Sequence, residues 1–149
     1  MKDRITRGAV AGLLAGLFII LNNLTSYHLL HFAKARWIDM LSQLVYGRDV
    51  KTPLDFALGL FAFFVFVGFL GAVYARIVLP KPGTGSYYFR GVGYGLVVWF
   101  FTFSLGSFFR VPKLHTVAPE TAITNIISVT VWGALLAWLM KRWDHIYAD

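Results

Sequence analysis

Every lysine, arginine, aspartate and glutamate of this chain lies outside four windows, residues 8–33, 56–75, 91–109 and 121–140. A bilayer core of about 30 Å is crossed by roughly 20 helical residues, so each window is long enough to span it. Four helices of a water-soluble bundle would each need a polar outer face, whereas stretches such as residues 61–70 are apolar all round. The pattern predicts an all-α membrane protein with four transmembrane helices in an up-down bundle. Residues 1–149 would form one integral membrane domain, with spans near 8–33, 54–76, 87–109 and 119–141.

Composition removes the other classes. Charged residues make up 14% of the chain and apolar ones 58%, against roughly 25% and 45–50% in soluble domains. Fourteen Phe, 7 Tyr and 5 Trp exclude a disordered chain. The absence of cysteine excludes a disulfide scaffold, thiol catalysis and thiolate metal sites.

Lys2, Arg4 and Arg7 before an apolar run resemble the start of a secretory signal. A signal core, however, is only about 7–15 residues long and ends at small residues. This run is longer and finishes in Tyr27, His28, Leu29, Leu30, His31, so span one is expected to be a retained helix.

The longest connection, residues 34–52, places Trp37, Ile38, Met40, Leu41, Leu44 and Val45 mostly on one helical face, with Lys34, Arg36, Asp39, Ser42 and Gln43 polar. Two structures fit: an amphipathic helix in the membrane interface with Trp37 at headgroup depth, or a continuation of span one that ends near Gly47. Span two should begin at Thr52, Pro53 and Asp55, a cap, a first-turn proline and a first-turn acid. It should end at Arg76 and the helix-breaking Pro80, Lys81, Pro82, Gly83. Ser86, Tyr87, Tyr88 and Arg90 mark the start of span three, and Pro119 and Glu120 open span four, which Lys141, Arg142 and Trp143 close.

Eight Lys and Arg fall on the side of the two termini and six on the other. The bias predicts cytoplasmic termini in a multi-pass protein of a cell membrane. The net charge of +7 suits anionic headgroups, and no basic run is dense enough for nucleic acid. The expected surroundings are therefore the lipid bilayer and a second copy or another membrane protein.

Span one opens Arg7, Gly8, then Gly12, Leu13, and span three opens Arg90, Gly91, then Gly95, Leu96. This suggests a two-plus-two repeat of the kind some transporters use. Gly8, Gly12 and Gly16 form one small-residue strip and Gly91 with Gly95 another, and such strips let helix backbones approach closely.

Polar residues inside the windows are the only chemistry at membrane depth. Asn22, Asn23, Thr25, Ser26, His28 and His31 crowd the far end of span one, and Thr121, Asn125, Ser128 and Trp132 form a stripe on span four that can face it. The cluster Asn22, Asn23, Ser26, Asn125, Ser128 either lines a polar cavity or hydrogen-bonds between helices. His28 and His31 lie three apart and suit a metal if Asp39 or His115 adds a ligand; as interfacial imidazoles they need none, and no metal or cofactor is expected. No acidic or basic residue lies in the interior of a span, as carriers and voltage sensors commonly require; Asp55 and Arg76 sit at opposite ends of span two as boundary groups. There is also no phosphate-binding glycine loop, HExxH pair or GxSxG elbow.

The stretch Gly91, Tyr94, Gly95, Leu96, Val97, Val98, Trp99 and residues 124–133 resemble the small uncharacterised bacterial membrane proteins of the YqhR type. The resemblance implies four spans in a bacterial membrane and carries over no catalytic residue. Three functions are in view: a non-enzymatic scaffold or interaction partner, a small transporter or channel component for a neutral or weakly polar solute, and a metal-dependent enzyme using His28, His31 and His115.

Overall fold

The computed structural model describes residues 3–79 and 86–146, and those residues form helices and no strand. In chain order they are α1 (Arg4–His28), α2 (Trp37–Tyr46), α3 (Pro53–Val73) continued by a π-helical turn (Tyr74–Val78), α4 (Tyr87–Phe108) and α5 (Pro119–Ile146). Four of these segments, of 22 to 28 residues, are long and apolar enough to cross a membrane. At 1.5 Å per residue the shortest reaches about 33 Å, enough for the hydrocarbon core. The chain is a multi-pass membrane protein by fold.

The helix starts follow local chemistry. Asp3 accepts from the amides of Ile5 and Thr6 at 3.2 and 2.9 Å to begin α1. The expected cap of α3 is present: Thr52 Oγ1 accepts from Asp55 N at 3.1 Å and Asp55 Oδ2 accepts from Thr52 N at 3.0 Å, with Pro53 in the first turn. The segment Pro80, Lys81, Pro82, Gly83 lies outside the described residues.

Three expectations need correction. Span one does not run to residue 33. It ends at His28, because the chain turns back through a positive φ of 51° at His31 and the amides of Phe32 and Ala33 donate to Ser26 O at 2.9 and 3.3 Å. The following helix is therefore no continuation of span one; it is a separate short helix whose apolar face is turned into the bundle. Trp37, Ile38, Met40 and Leu41 of α2 are buried inside the bundle mouth, with only its far end, Leu44 and Val45, exposed. Trp37 is 2% exposed and packs edge-on against Phe103 of α4, with centroids 5.8 Å apart. Gly47 closes α2 in the left-handed region, φ 68°. At the other end of the chain, α5 continues to Ile146, past the expected limit at residue 141, because Asp144 is drawn into the bundle as described below.

The glycine strips lie in the tightest helix contacts. Gly8 and Gly12 lie against the α3 backbone at Gly71 and Val67, and Gly91 and Gly95 lie against α5 at Gly133 and Val129. Ala75 and Ala137 complete the same contact one turn on, beside Gly8 and Gly91. Hairpin α1–α3 and hairpin α4–α5 thus close through one repeated contact, small strip against Val-x3-Gly-x3-Ala. Gly16 sits on the Val67 side chain. The hairpins join through a close α1–α5 interface.

Candidate functional site

The polar cluster predicted from the sequence assembles at the α1–α5 interface. Asn22 Nδ2 donates to Ser128 Oγ at 2.7 Å, Asn23 Nδ2 to Asn125 Oδ1 at 3.4 Å, and Ser26 Oγ lies 3.1 Å from Thr124 Oγ1. These three bonds span little more than one turn of each helix, and they form because polar residues cluster on both facing stripes. The seam also receives α2. Asn23 Oδ1 accepts from Trp37 N at 2.8 Å, and Asn125 Nδ2 reaches Met40 Sδ at 3.9 Å. Thr121 Oγ1 accepts from Lys34 N at 2.8 Å, and Trp132 Nε1 donates to Gly12 O at 3.3 Å. Asn23, Asn125, Ser128 and Thr121 are at most 1% exposed.

These groups face one another and not a cavity. The space deeper in the bundle amounts to about 10 Å³ and is walled by Ile19, Trp37, Phe63, Val67, Val129 and Trp132 among others. A water needs two to four polar partners, and the walls of this space offer none.

The histidines are not brought together. Among the described residues no group of three His, Asp or Glu side chains is placed to hold a metal. His28 stacks edge-on with Tyr27, His115 Nδ1 lies 3.5 Å from Ser107 Oγ, and Asp39 is held by Arg36 through bonds of 2.9 and 2.8 Å.

Ionic groups gather at the two ends of the bundle. On the terminal side Asp144, 3% exposed at its side chain, takes Arg4 at 2.8 Å and Arg7 at 3.4 Å, and Tyr87 donates to it at 3.1 Å. Nothing in the sequence marked this cluster, whose members lie 140 residues apart. On the other side Asp49 Oδ1 pairs with Lys113 at 2.7 Å and accepts from Gln43 at 2.8 Å, bonds that hold its carboxyl below the ordinary carboxylate range.

The remaining interface, α3 with α4, is built differently. The two helices flank a groove of about 480 Å³ lined by Phe66, Leu70, Tyr94, Val98, Phe101 and Leu105 among others. Counted along the helices from the repeated contacts, with Gly8 matching Gly91 and Gly71 matching Gly133, Asn22 corresponds to Leu105 and Ser128 to Phe66. The hydrogen-bonded pair of the sealed interface is thus replaced, at the equivalent place, by two apolar residues that line an open groove. The groove was not foreseen from the sequence; the signal available was the Val67, Gly71, Ala75 and Val129, Gly133, Ala137 spacing, which fixes the register of the second hairpin against the first.

Compared with family models, curated proteins and solved structures, the chain matches none.

Proposed function

We propose that the chain is a non-enzymatic scaffold of a cell membrane, which holds an apolar span of a second copy or of another membrane protein in the α3–α4 groove. The observation that carries this is the inequality of two equivalent interfaces: α1–α5 is closed by a ladder of side-chain hydrogen bonds, whereas α3–α4, bridged by Tyr94 Oη donating to Leu70 O at 2.8 Å and by Tyr74 Oη donating to Tyr87 O at 3.1 Å, is open and apolar elsewhere along its length. Lipid tails are as apolar as leucine, so spans associate through shape and van der Waals contact, which a groove supplies and a convex helix face does not. Solute transport has less support. The asparagines at membrane depth are bonded to partners, α2 fills one mouth of the bundle, and the space at the centre is small and apolar. The excess of Lys and Arg on the terminal side supports a cytoplasmic location for it. Kinship with the YqhR-type proteins is proposed on the same stretches as before, of which Gly91, Gly95 and Gly133 are packing positions.

The absence of native cysteine makes the test clean. Phe101→Cys places a thiol in the groove, and Leu21→Cys places one on the exposed face of α1. Thiol crosslinking in native membranes is expected to give a discrete adduct from Phe101→Cys and none from Leu21→Cys. Monomer alone from both, or the same ladder from both, overturns the scaffold. Solute flux through vesicles holding the purified chain, abolished by Asn125→Leu with folding intact, would establish transport instead.

A further inference from the structure

A second recess lies on the outer face of the α4–α5 hairpin, away from the groove proposed for a partner span. It has two parts that share Tyr88 and Trp138. Toward the membrane interior, a groove of about 450 Å³ runs along Thr130, Val131, Ala134 and Leu135. At its terminal-side end, Tyr88 and Trp138 also border a recess of about 200 Å³ formed with Lys141, Arg142 and His145. From Thr130 to Trp138 the helix rises roughly 12 Å at 1.5 Å per residue, so the feature runs from well inside the hydrocarbon to its edge.

Two cations at the terminal-side end rest on these rings. Lys141 Nζ lies 5.7 Å from the centre of the Tyr88 ring, and the Arg142 guanidinium carbon lies 5.8 Å from that of Trp138. Among the described residues neither cation has a carboxylate partner. The one acid of the last turn, Asp144, is turned the other way, buried against Arg4 and Arg7. The rings therefore hold two cations at this end of the bundle, while Asp144 is already neutralised by Arg4 and Arg7. What complements this arrangement is one molecule with an anion at interface depth and an apolar chain directly below it.

We propose that this recess binds an anionic phospholipid, its phosphate between Lys141 and Arg142 and one acyl chain along Thr130, Ala134 and Leu135. Arg142 presents planar paired donors to phosphate and Lys141 a compact charge. Tyr88 and Trp138 suit the boundary position, with an apolar body and a polar edge. The site is independent of the scaffold groove and stands or falls separately from it.

The test uses the purified chain in nanodiscs of phosphatidylcholine containing a minor fraction of brominated phosphatidylglycerol or, in parallel, brominated phosphatidylcholine. Quenching of Trp138 is isolated as the emission missing from Trp138→Phe. The brominated anionic lipid is expected to quench Trp138 well beyond its mole fraction, and the zwitterionic one only in proportion to it. Lys141→Gln with Arg142→Gln alters two exposed side chains, and circular dichroism checks that the helices persist. This pair should weaken the anionic preference roughly tenfold or more, since the phosphate loses the charge-assisted hydrogen bonds of both bases. Arg76→Gln with Arg90→Gln removes the same charge from the same membrane side and should leave the preference in place. Equal quenching by the two lipids overturns the site. So does an equal loss in the Arg76, Arg90 variant, which would mean surface potential only, or displacement by inorganic phosphate, which would mean that the groove contributes nothing.

Discussion

Substituting Gly133 by alanine probes the contact on which both hairpins depend. A Cβ at that position would press on the Gly91 carbonyl oxygen, with Gly91 C at 2.8 Å and Val92 Cα at 3.3 Å. All three neighbours are backbone atoms and cannot rotate away. To restore an ordinary separation of 3.4 Å from Gly91 C, α4 and α5 must part by at least the difference, 0.6 Å. Forced expansion of a close-packed contact costs about 1–3 kcal/mol. Alanine also gains up to about 1 kcal/mol of helix propensity over glycine, which would blur the result. Gly93 supplies the correction: it lies on α4 where an added Cβ would meet nothing within 4 Å, so Gly93→Ala has the propensity gain without the clash. The difference between the two variants isolates packing and should be about 1–3 kcal/mol, roughly 5- to 150-fold in the unfolding equilibrium. Titration of purified protein in mixed micelles with dodecyl sulfate, followed by circular dichroism, measures it. Gly71→Ala, which meets Gly12 Cα at 2.8 Å and Gly12 N at 2.9 Å in the other hairpin, should behave like Gly133→Ala. If Gly133→Ala and Gly93→Ala unfold together, the repeated contact does not hold the hairpins.

Asn23→Leu removes the acceptor of the Trp37 amide and a donor to Asn125, leaving buried groups unpaired at a cost of about 1–3 kcal/mol. Hydrogen exchange should accelerate in α2 before α1 or α5, and unchanged protection of the Trp37 amide would refute the docking role. Acid should release the clamp between the α2–α3 and α4–α5 connections. The Asp49 carboxyl is lowered in the folded chain, chiefly by Lys113 and then by Gln43, so its contribution is present above the ordinary aspartate value and lost as pH falls through the lower folded one, a window below about pH 4. Spin labels at Val50→Cys and His115→Cys should show a narrow distance distribution at neutral pH that broadens in that window. Asp49→Asn should be broad throughout, and a narrow distribution in that variant at neutral pH would exclude the clamp.

The sequence made the spans legible because charge is expelled from hydrocarbon, and it made the start of α3 legible because Thr52, Pro53 and Asp55 have local roles. The end of α1 was not legible. Leu29, Leu30 and Phe32 continue the apolar window, while the turn depends on a positive φ at His31, a residue that gives no such signal. The fate of α2 was also hidden, because one apolar face serves equally to float on lipid or to enter a bundle, and what decides between them is Asn23 reaching Trp37. The polar seam was legible as two facing stripes at helical spacing, Asn22 and Asn23 against Asn125 and Ser128. That it is a bonded seam and no cavity depends on how closely α1 and α5 approach, a distance set by Gly12 under Trp132.

The burial of α2 has a consequence for biogenesis. Its resting place is walled by Phe103 and Asn125, which a ribosome delivers long after Trp37 has emerged. Until the second hairpin enters the bilayer, α2 has only half of its seat, Asn23 of α1 and Gly59 of α3, and its other side faces lipid. Enclosing Trp37 is then the closing act of maturation, and the changing emission of Trp37 would time it.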